Sequence, residues 1–337
     1  MHMSRRVLGF VLLVCSSLFA SPALSGSSGD SLRIVHTFPV NHPAYLRLKE
    51  MLPELQAAAD YTVRFELYSA QELGGWHRIV PDLFEGRYDF LLSQASLLAS
   101  NGIDVGPLER SDLFINFDTW KNLPESEGEE AIRDLFAESN LEYLGATWLT
   151  SDYLVLQTKV DKLSDLKGLV VRTPQNTMSF DFYEKLGMSP VSIGPKETFL
   201  ALEAGMVDAA VMTASDSYWT AYWDASAKIS GYGNTLISDR VGGQVAWLVA
   251  RDSWRIGLDD FTIVQVEKAL GEAMQQLGAE LHASQQNLLE TVSKQGATLT
   301  QFSDSDRNTM IDAVHGAWQS NFSPRDRLIA ERLVGNK

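Results

Sequence analysis

Twice along this chain a short alternating run is followed by a helical stretch closed by glycine and then by another such run, a grammar that admits few folds. Leu32 to His36 alternates as a strand, His42-Pro43 opens a helix reaching about Ala59, and Thr62 to Tyr68 is a second strand. Gln71 to Gly75 is a turn, Trp76 to Glu85 reads as helix with Gly86 as its stop, and Tyr88 to Leu92 is a third strand. Strand, helix, strand, helix, strand predicts an α/β unit with a mainly parallel sheet.

The second pass begins with two strands, Leu141 to Trp148 and Tyr153 to Gln157. Leu169 to Arg172 is another strand, Ser179 to Leu186 a helix closed by Gly187, and Pro190 to Ile193 a strand. Glu197 to Ala204 is a helix stopped by Gly205, before a strand from Val207 to Met212. From Phe261 to about Lys294 one long helix is expected, because Ile263, Val266, Leu270, Met274, Leu277 and Leu281 recur at helical spacing. Two such units joined by strands running between them describe a hinged protein with two lobes.

Length agrees, since 337 residues suit about two domains. The formal charge of −15 and the lack of any basic run beyond Arg5-Arg6 argue against nucleic acid or an anionic membrane surface as partner. The single cysteine, Cys15, rules out an intramolecular disulfide framework and any cysteine-rich metal cluster. Met1 to Arg6 is short and basic, Val7 to Ala20 is apolar or small, and Ala23 and Ser25 are small residues two apart. Residues 1–25 are therefore expected to be a removable export leader, too short in its apolar run for a transmembrane anchor. Loss of Arg5 and Arg6 with it takes the charge from −15 to −17. Lipidation at Cys15 is the alternative, and Val14 fits that signal poorly. The periplasm is the expected location.

The motifs then carry a resemblance. His42-Pro43, then Gln71-Glu72-Leu73-Gly74-Gly75 after a strand, then Glu85-Gly86 before the strand at Tyr88, stand in fitting places. The centre reads Asp165-Leu166-Lys167-Gly168-Leu169-Val170-Val171-Arg172-Thr173-Pro174, then Leu186-Gly187-Met188-Ser189-Pro190-Val191, then a helix ending Gly205-Met206-Val207-Asp208. In that order the motifs resemble the extracytoplasmic solute receptors of tripartite ATP-independent periplasmic (TRAP) transporters, the DctP-like family, over roughly Leu32 to Arg325. The resemblance implies an α/β periplasmic binding protein of the Venus-flytrap kind, with hinge strands near Thr150 and Leu236 and a long helix bracing both lobes. Lobe I is expected at 31–149 plus 237–262 and lobe II at 150–236 plus 263–335. It also implies capture of a small organic acid and delivery to membrane permease subunits, by a monomer with no cofactor, metal or covalent chemistry.

Arg172 is the first site residue. In the family an arginine here forks onto the ligand carboxylate, a geometry that suits guanidinium better than ammonium. Two departures matter. Relatives often carry a second arginine where this chain has Thr147, followed by Trp148, and an asparagine after Val-Asp where this chain runs on to Met212. Losing a cation and an amide argues against a dicarboxylate, because a second buried carboxylate would lack a partner. Met212 and Trp148 point instead to a monocarboxylate with an apolar or aromatic body. Tyr218 and Trp219 are candidates for a ligand wall or for core packing, and Ser93, Gln94 and His36 follow strands that would face the cleft.

Two other classes stay open. One is the receptor of an ATP-driven importer. The other is a GDSL-type hydrolase, since Gly29-Asp30-Ser31-Leu32 and Asp312-Ala313-Val314-His315 spell two of its blocks, with Gly233-Asn234 as part of a third. Against the hydrolase, the tetrapeptide precedes its strand instead of ending it, and Asp312 and His315 lie in an amphipathic C-terminal helix from Asp306 to Trp318. No HExxH, CxxC, P-loop or GxGxxG occurs.

Overall fold

Alternate residues of β1 (Ser31–His36) enter two different cores, Ile34 one and Val35 the other, as a strand buried on both faces requires. A computed structural model describes residues 31–40, 42–109, 117–156, 158–173, 177–194, 197–213, 235–237, 243–294 and 298–334. The expected leader, the segment holding Tyr218 and Trp219, and Gly29, Asp30, Gly233 and Asn234 lie outside these residues.

The other strands are β2 (Arg64–Ser69), β3 (Phe90–Gln94), β4 (Glu142–Leu156), β5 (Val170–Thr173), β6 (Ser189–Ser192), β7 (Ala209–Thr213), β8 (Thr235–Ile237), β9 (Gly243–Ala250) and β10 (Thr298–Thr300). They form one curled sheet in the order β2-β1-β3-β9-β4-β7-β5-β6, with β8 paired to both β4 and β10. Strands β1, β2 and β3 run parallel, as do β5, β6 and β7. Strand β9 is antiparallel to its neighbours β3 and β4.

Helices cover both faces: α1 (Pro43–Ala58), α2 (Ile79–Phe84), α3 (Ala95–Ser100), α4 (Phe117–Lys121), α5 (Glu127–Ala137), α6 (Thr177–Lys185), α7 (Thr198–Glu203), α8 (Asp260–Lys294), α9 (Asp304–Asn321) and α10 (Pro324–Val334). The 35-residue α8 buries Val266, Leu270, Met274, Leu277 and Leu281 along one stripe and packs on β4 and α1. The α2 region starts as a 3-10 turn over Trp76–Arg78, shorter in helix than Trp76 to Glu85 promised.

One expectation is corrected. Leu141–Trp148 and Tyr153–Gln157 are not two strands but parts of one, the 15-residue β4. Its first part pairs with β9 as far as Ser151, and Asp152–Leu156 pairs with β7. The polar Thr150-Ser151-Asp152 reads as a loop in sequence, yet all three are buried and their backbones are paired. A register shift between Trp148 and Thr150 leaves backbone groups out of the ladder. Gln285 of α8 supplies them: its Nε2 donates to the Leu149 carbonyl (2.7 Å) and its Oε1 accepts from Ser151 N (3.3 Å). The long helix thus fastens β4 where the strand passes from one half of the sheet to the other.

Candidate functional site

Register alone points to a candidate site. Because β4 is antiparallel to β9 and β9 to β3, the stretch of β4 around Thr147–Ser151 lies at the C-terminal end of β3. Because Asp152 pairs with Thr213, the last residue of β7, the same stretch lies at the C-terminal ends of β7 and its parallel neighbours. The C-terminal ends of both parallel groups therefore converge on the middle of β4, the place where α/β sheets bind ligands.

Arg172 stands in β5 with 7% of its surface exposed. Its Nε donates to the carbonyl of Ile193, just past β6 (2.8 Å), and its Nη1 to that of Val211 in β7 (3.0 Å). These two bonds fix the plane of the guanidinium at the strand ends and hold a buried positive charge there, a standing attraction for an anion. Met212, half-buried, lies opposite Tyr153 on β4.

The first half of the sheet brings His36, Ser93, Gln94 and Thr147. Gln94 and Thr147 both lie opposite Ala246, one on each side of β9. Gln94 Nε2 donates to Gln244 Oε1 (3.0 Å), and Gln244 Nε2 donates to Asp152 Oδ1 (3.0 Å). A polar chain thus crosses three strands at the floor of the site. The Ser93 hydroxyl accepts from Thr37 Oγ1 (3.4 Å) and donates to the Gln94 carbonyl (3.2 Å). Thr147 Oγ1 and Ser151 Oγ are fully buried and make no hydrogen bond.

His36 is wholly buried at the end of β1, its ring 4.5 Å from that of Tyr45. Its Nδ1 accepts from Phe38 N (3.2 Å), which assigns the proton to Nε2, and Nε2 has no partner. Burial pushes the imidazole from the ordinary 6.5 down to about 4, against the pull of the Glu72 carboxylate. The ring is therefore a neutral donor at pH 7. Between about pH 6.5 and 4 the unfolded histidine takes up a proton that the folded one refuses, so stability falls as pH falls. His36→Gln is expected to flatten that slope, removing roughly 2–3 kcal/mol of acid sensitivity between pH 7 and 4 in urea melts. Part of the slope will remain, because burial lowers His42 to about 4 as well.

Trp148 follows Thr147 in β4. It is fully buried, with its ring where a Cβ on Gly243 would be, edge-on to Phe117 and near Trp120 and His282. Sequence reasoning missed Gln244 and Asp152. No local signal marked them, since Asp152 closes the polar run Thr150-Ser151-Asp152 and its partner Gln244 lies 92 residues away.

The hydrolase set is not assembled at this site. Ser31 begins β1, at the opposite end of the sheet from His36, and His315 lies within α9 with its ring 4.9 Å from that of Trp318. Among the described residues no group of three or more side chains could hold a metal ion, and no helix is long and apolar enough to cross a membrane.

Residues 34–324 match the model of DctP, bacterial extracellular solute-binding protein family 7. An uncharacterised protein of Haemophilus influenzae is 26% identical over 203 residues, 60% of each chain, so this chain spans about 60% of the length of that curated relative. Among solved structures, a TRAP periplasmic solute-binding protein of Rhodobacter sphaeroides in an apo open form has a TM-score of 0.76 at 17% identity, over 90% of this chain and 96% of its own. One of Desulfovibrio salexigens with bound orotic acid scores 0.66 at 16% identity, over 90% and 96%. One of Shewanella oneidensis with bound succinate scores 0.66 at 15%, over 90% and 98%. At these identities the structures speak for a shared two-lobed fold.

Proposed function

The chain belongs to the bacterial extracellular solute-binding proteins of family 7, the DctP family, and from that premise we propose that it captures a small organic acid and hands it to the membrane permease of a TRAP transporter. Membership places it among solute receptors, not enzymes. The reading is carried by Arg172, a buried guanidinium held by two backbone carbonyls at the strand ends where the halves of the sheet meet. It would fork onto the ligand carboxylate, and His36 Nε2, Gln94 and Thr147 would line the facing side, with Ser93 behind them. Met212 would supply apolar contact. The enclosure of Trp148 leaves less aromatic wall than the sequence promised, so a monocarboxylate remains the expected guest but a large aromatic body is less favoured. Tyr218 and Trp219 keep their candidacy as ligand wall. Orotic acid and succinate, bound by two of the similar proteins, show how small such guests are.

The protein would act in the periplasm as a monomer after removal of residues 1–25. Its lobes would be 31–149 plus 237–262 and 150–236 plus 263–335. The last helix complicates that division, for α10 packs on α5, with Leu333 against Gly128, and would travel with lobe I. Ligand bound to one lobe would be closed over by the other, the strands near Thr150 and Leu236 flexing.

A thermal-shift screen of organic acids tests this. A ligand at a hundred times its dissociation constant stabilises by about 2.7 kcal/mol. Stabilisation by at least one carboxylate, and by none of its neutral amides, is the expected result; stabilisation only by neutral sugars or by peptides without a free carboxylate would overturn it. An ATP-driven partner in place of the TRAP permease is separated by reconstitution. Uptake into vesicles should follow an ion gradient and proceed without ATP.

A further inference from the structure

Along β4, Leu149, Ser151 and Tyr153 follow one another at the two-residue repeat of a strand, and along α8 Leu281, Gln285 and Leu289 follow at the four-residue spacing of one helix face. The two series change character together. Leu149 and Leu281 belong to the core that β1, β3 and β9 share, whereas Tyr153 and Leu289 belong to a separate core against β7. Between them stand two polar residues, Ser151 and Gln285, 0% and 4% exposed. The Gln285 amide bridges the seam, its Nε2 donating to the Leu149 carbonyl (2.7 Å) and its Oε1 accepting from Ser151 N (3.3 Å). Here β4 also exchanges one partner for another, since Ser151 still pairs with β9 and Asp152 already with β7. The register shift between Trp148 and Thr150 has loosened the ladder just before.

A buried amide is costly unless it is bonded, and leucine would suit either core better, so the polar pair calls for a reason. Interlocked apolar side chains resist sliding. Relative motion of the two halves of the sheet therefore falls where one core ends and the next begins. Resting on the hinged-receptor reading above, we propose that Gln285 is a positioning residue for closure, the pin that fixes the two halves in the relation they hold in this structure. It touches no ligand and acts through the backbone of Leu149 and Ser151. Releasing it is part of the work that a guest's contacts across the cleft must do, so the strength of its two bonds helps set how readily the protein closes.

The test needs no ligand. Spin labels at Lys49→Cys on α1 and Glu184→Cys on α6, both exposed and one in each half, report the separation of the halves by pulsed EPR in a Cys15→Ser background. Gln285→Asn, one carbon shorter, withdraws the amide from both backbone groups, and Gln285→Ala removes it. Each should raise the fraction of molecules outside the wild-type range of separations about tenfold, the effect of losing one or two hydrogen bonds. Val266→Ala, in the first core near the start of the same helix, is the control: it should unfold at lower urea and leave the separation unchanged. Wild-type separations in both Gln285 variants would overturn the assignment, and so would equal broadening by Val266→Ala. If neither Gln285 variant folds, hydrogen exchange of the wild type decides. The Ser151 amide should open at least about tenfold more often than those of Leu154 and Val155, which lie between β7 and β8, and equal protection would overturn the pin. The acid screen is a separate measurement. A carboxylate found there while the Gln285 variants keep the wild-type separations leaves the receptor reading standing and removes this inference; broadened separations with no carboxylate found do the reverse.

Discussion

Arg172→Ala is expected to weaken acid binding on the order of a hundredfold or more, as measured by titration calorimetry with the acid that the screen retains. Removing one member of a buried hydrogen-bonded charge pair costs about 2–5 kcal/mol, and most of it appears as faster release. The arginine also satisfies the carbonyls of Ile193 and Val211, so the variant should unfold at lower urea, by about 1–3 kcal/mol if both carbonyls stay dry. Arg172→Lys separates the two effects. Lysine keeps the charge but offers no planar fork, so binding should fall by roughly tenfold while much of the electrostatic attraction survives. Unchanged affinity in the alanine variant would remove the anchor from the site.

The second large effect is on stability and runs against helix propensity. Gly278 lies inside α8, where alanine is ordinarily better than glycine by about 1 kcal/mol. At this position a Cβ would run into the ring of Trp120 and come within 2.7 Å of the backbone nitrogen of Trp148. Trp120 and Trp148 are both fully buried and have no room to retreat. Gly278→Ala is therefore expected to destabilise by at least about 3 kcal/mol, at the upper end of overpacking costs. Gly271, seven residues and about two turns nearer the start of α8 on nearly the same face, is the control: its added Cβ would meet only the Leu144 carbonyl at 3.6 Å, an ordinary contact. Gly271→Ala should be neutral or stabilising by up to about 1 kcal/mol. Opposite signs for two identical substitutions in one helix, read by urea denaturation, would show that α8 is held against β4 at a distance only glycine permits. Equal effects would mean that the helix sits further out.

Those contacts explain what could be read from the sequence and what could not. Strand β1, helices α1 and α8, and the run from β5 to β7 were legible because their burial follows local spacing: Ile34 and Val35 alternate, and Val266, Leu270 and Leu277 recur by turns. The continuity of β4 was not, because Thr150, Ser151 and Asp152 are polar and their partners are far away in the chain. Gln285 serves Ser151 from 134 residues downstream, and Gln244 serves Asp152 from 92. Strand β9 was missed for a related reason, as its role as the central strand joining β3 to β4 exists only once the sheet has formed. In the site, Arg172 was marked by the motif around it, and it lies buried in β5. Trp148 was marked as the apolar residue after Thr147, where relatives carry arginine, and its ring fills the space that Gly243 leaves open. No local pattern announced Asp152 or Gln244, which act through each other.

The most direct test of the central claim is a crystal structure of the protein loaded with the acid it binds most tightly. With Arg172 as anchor, the ligand carboxylate must lie against the guanidinium in a two-pronged contact with nitrogen-to-oxygen distances of about 2.7–2.9 Å, between the ends of β5 and the middle of β4. A ligand whose carboxylate is held by other groups, with the Arg172 guanidinium making no contact to it, would contradict it.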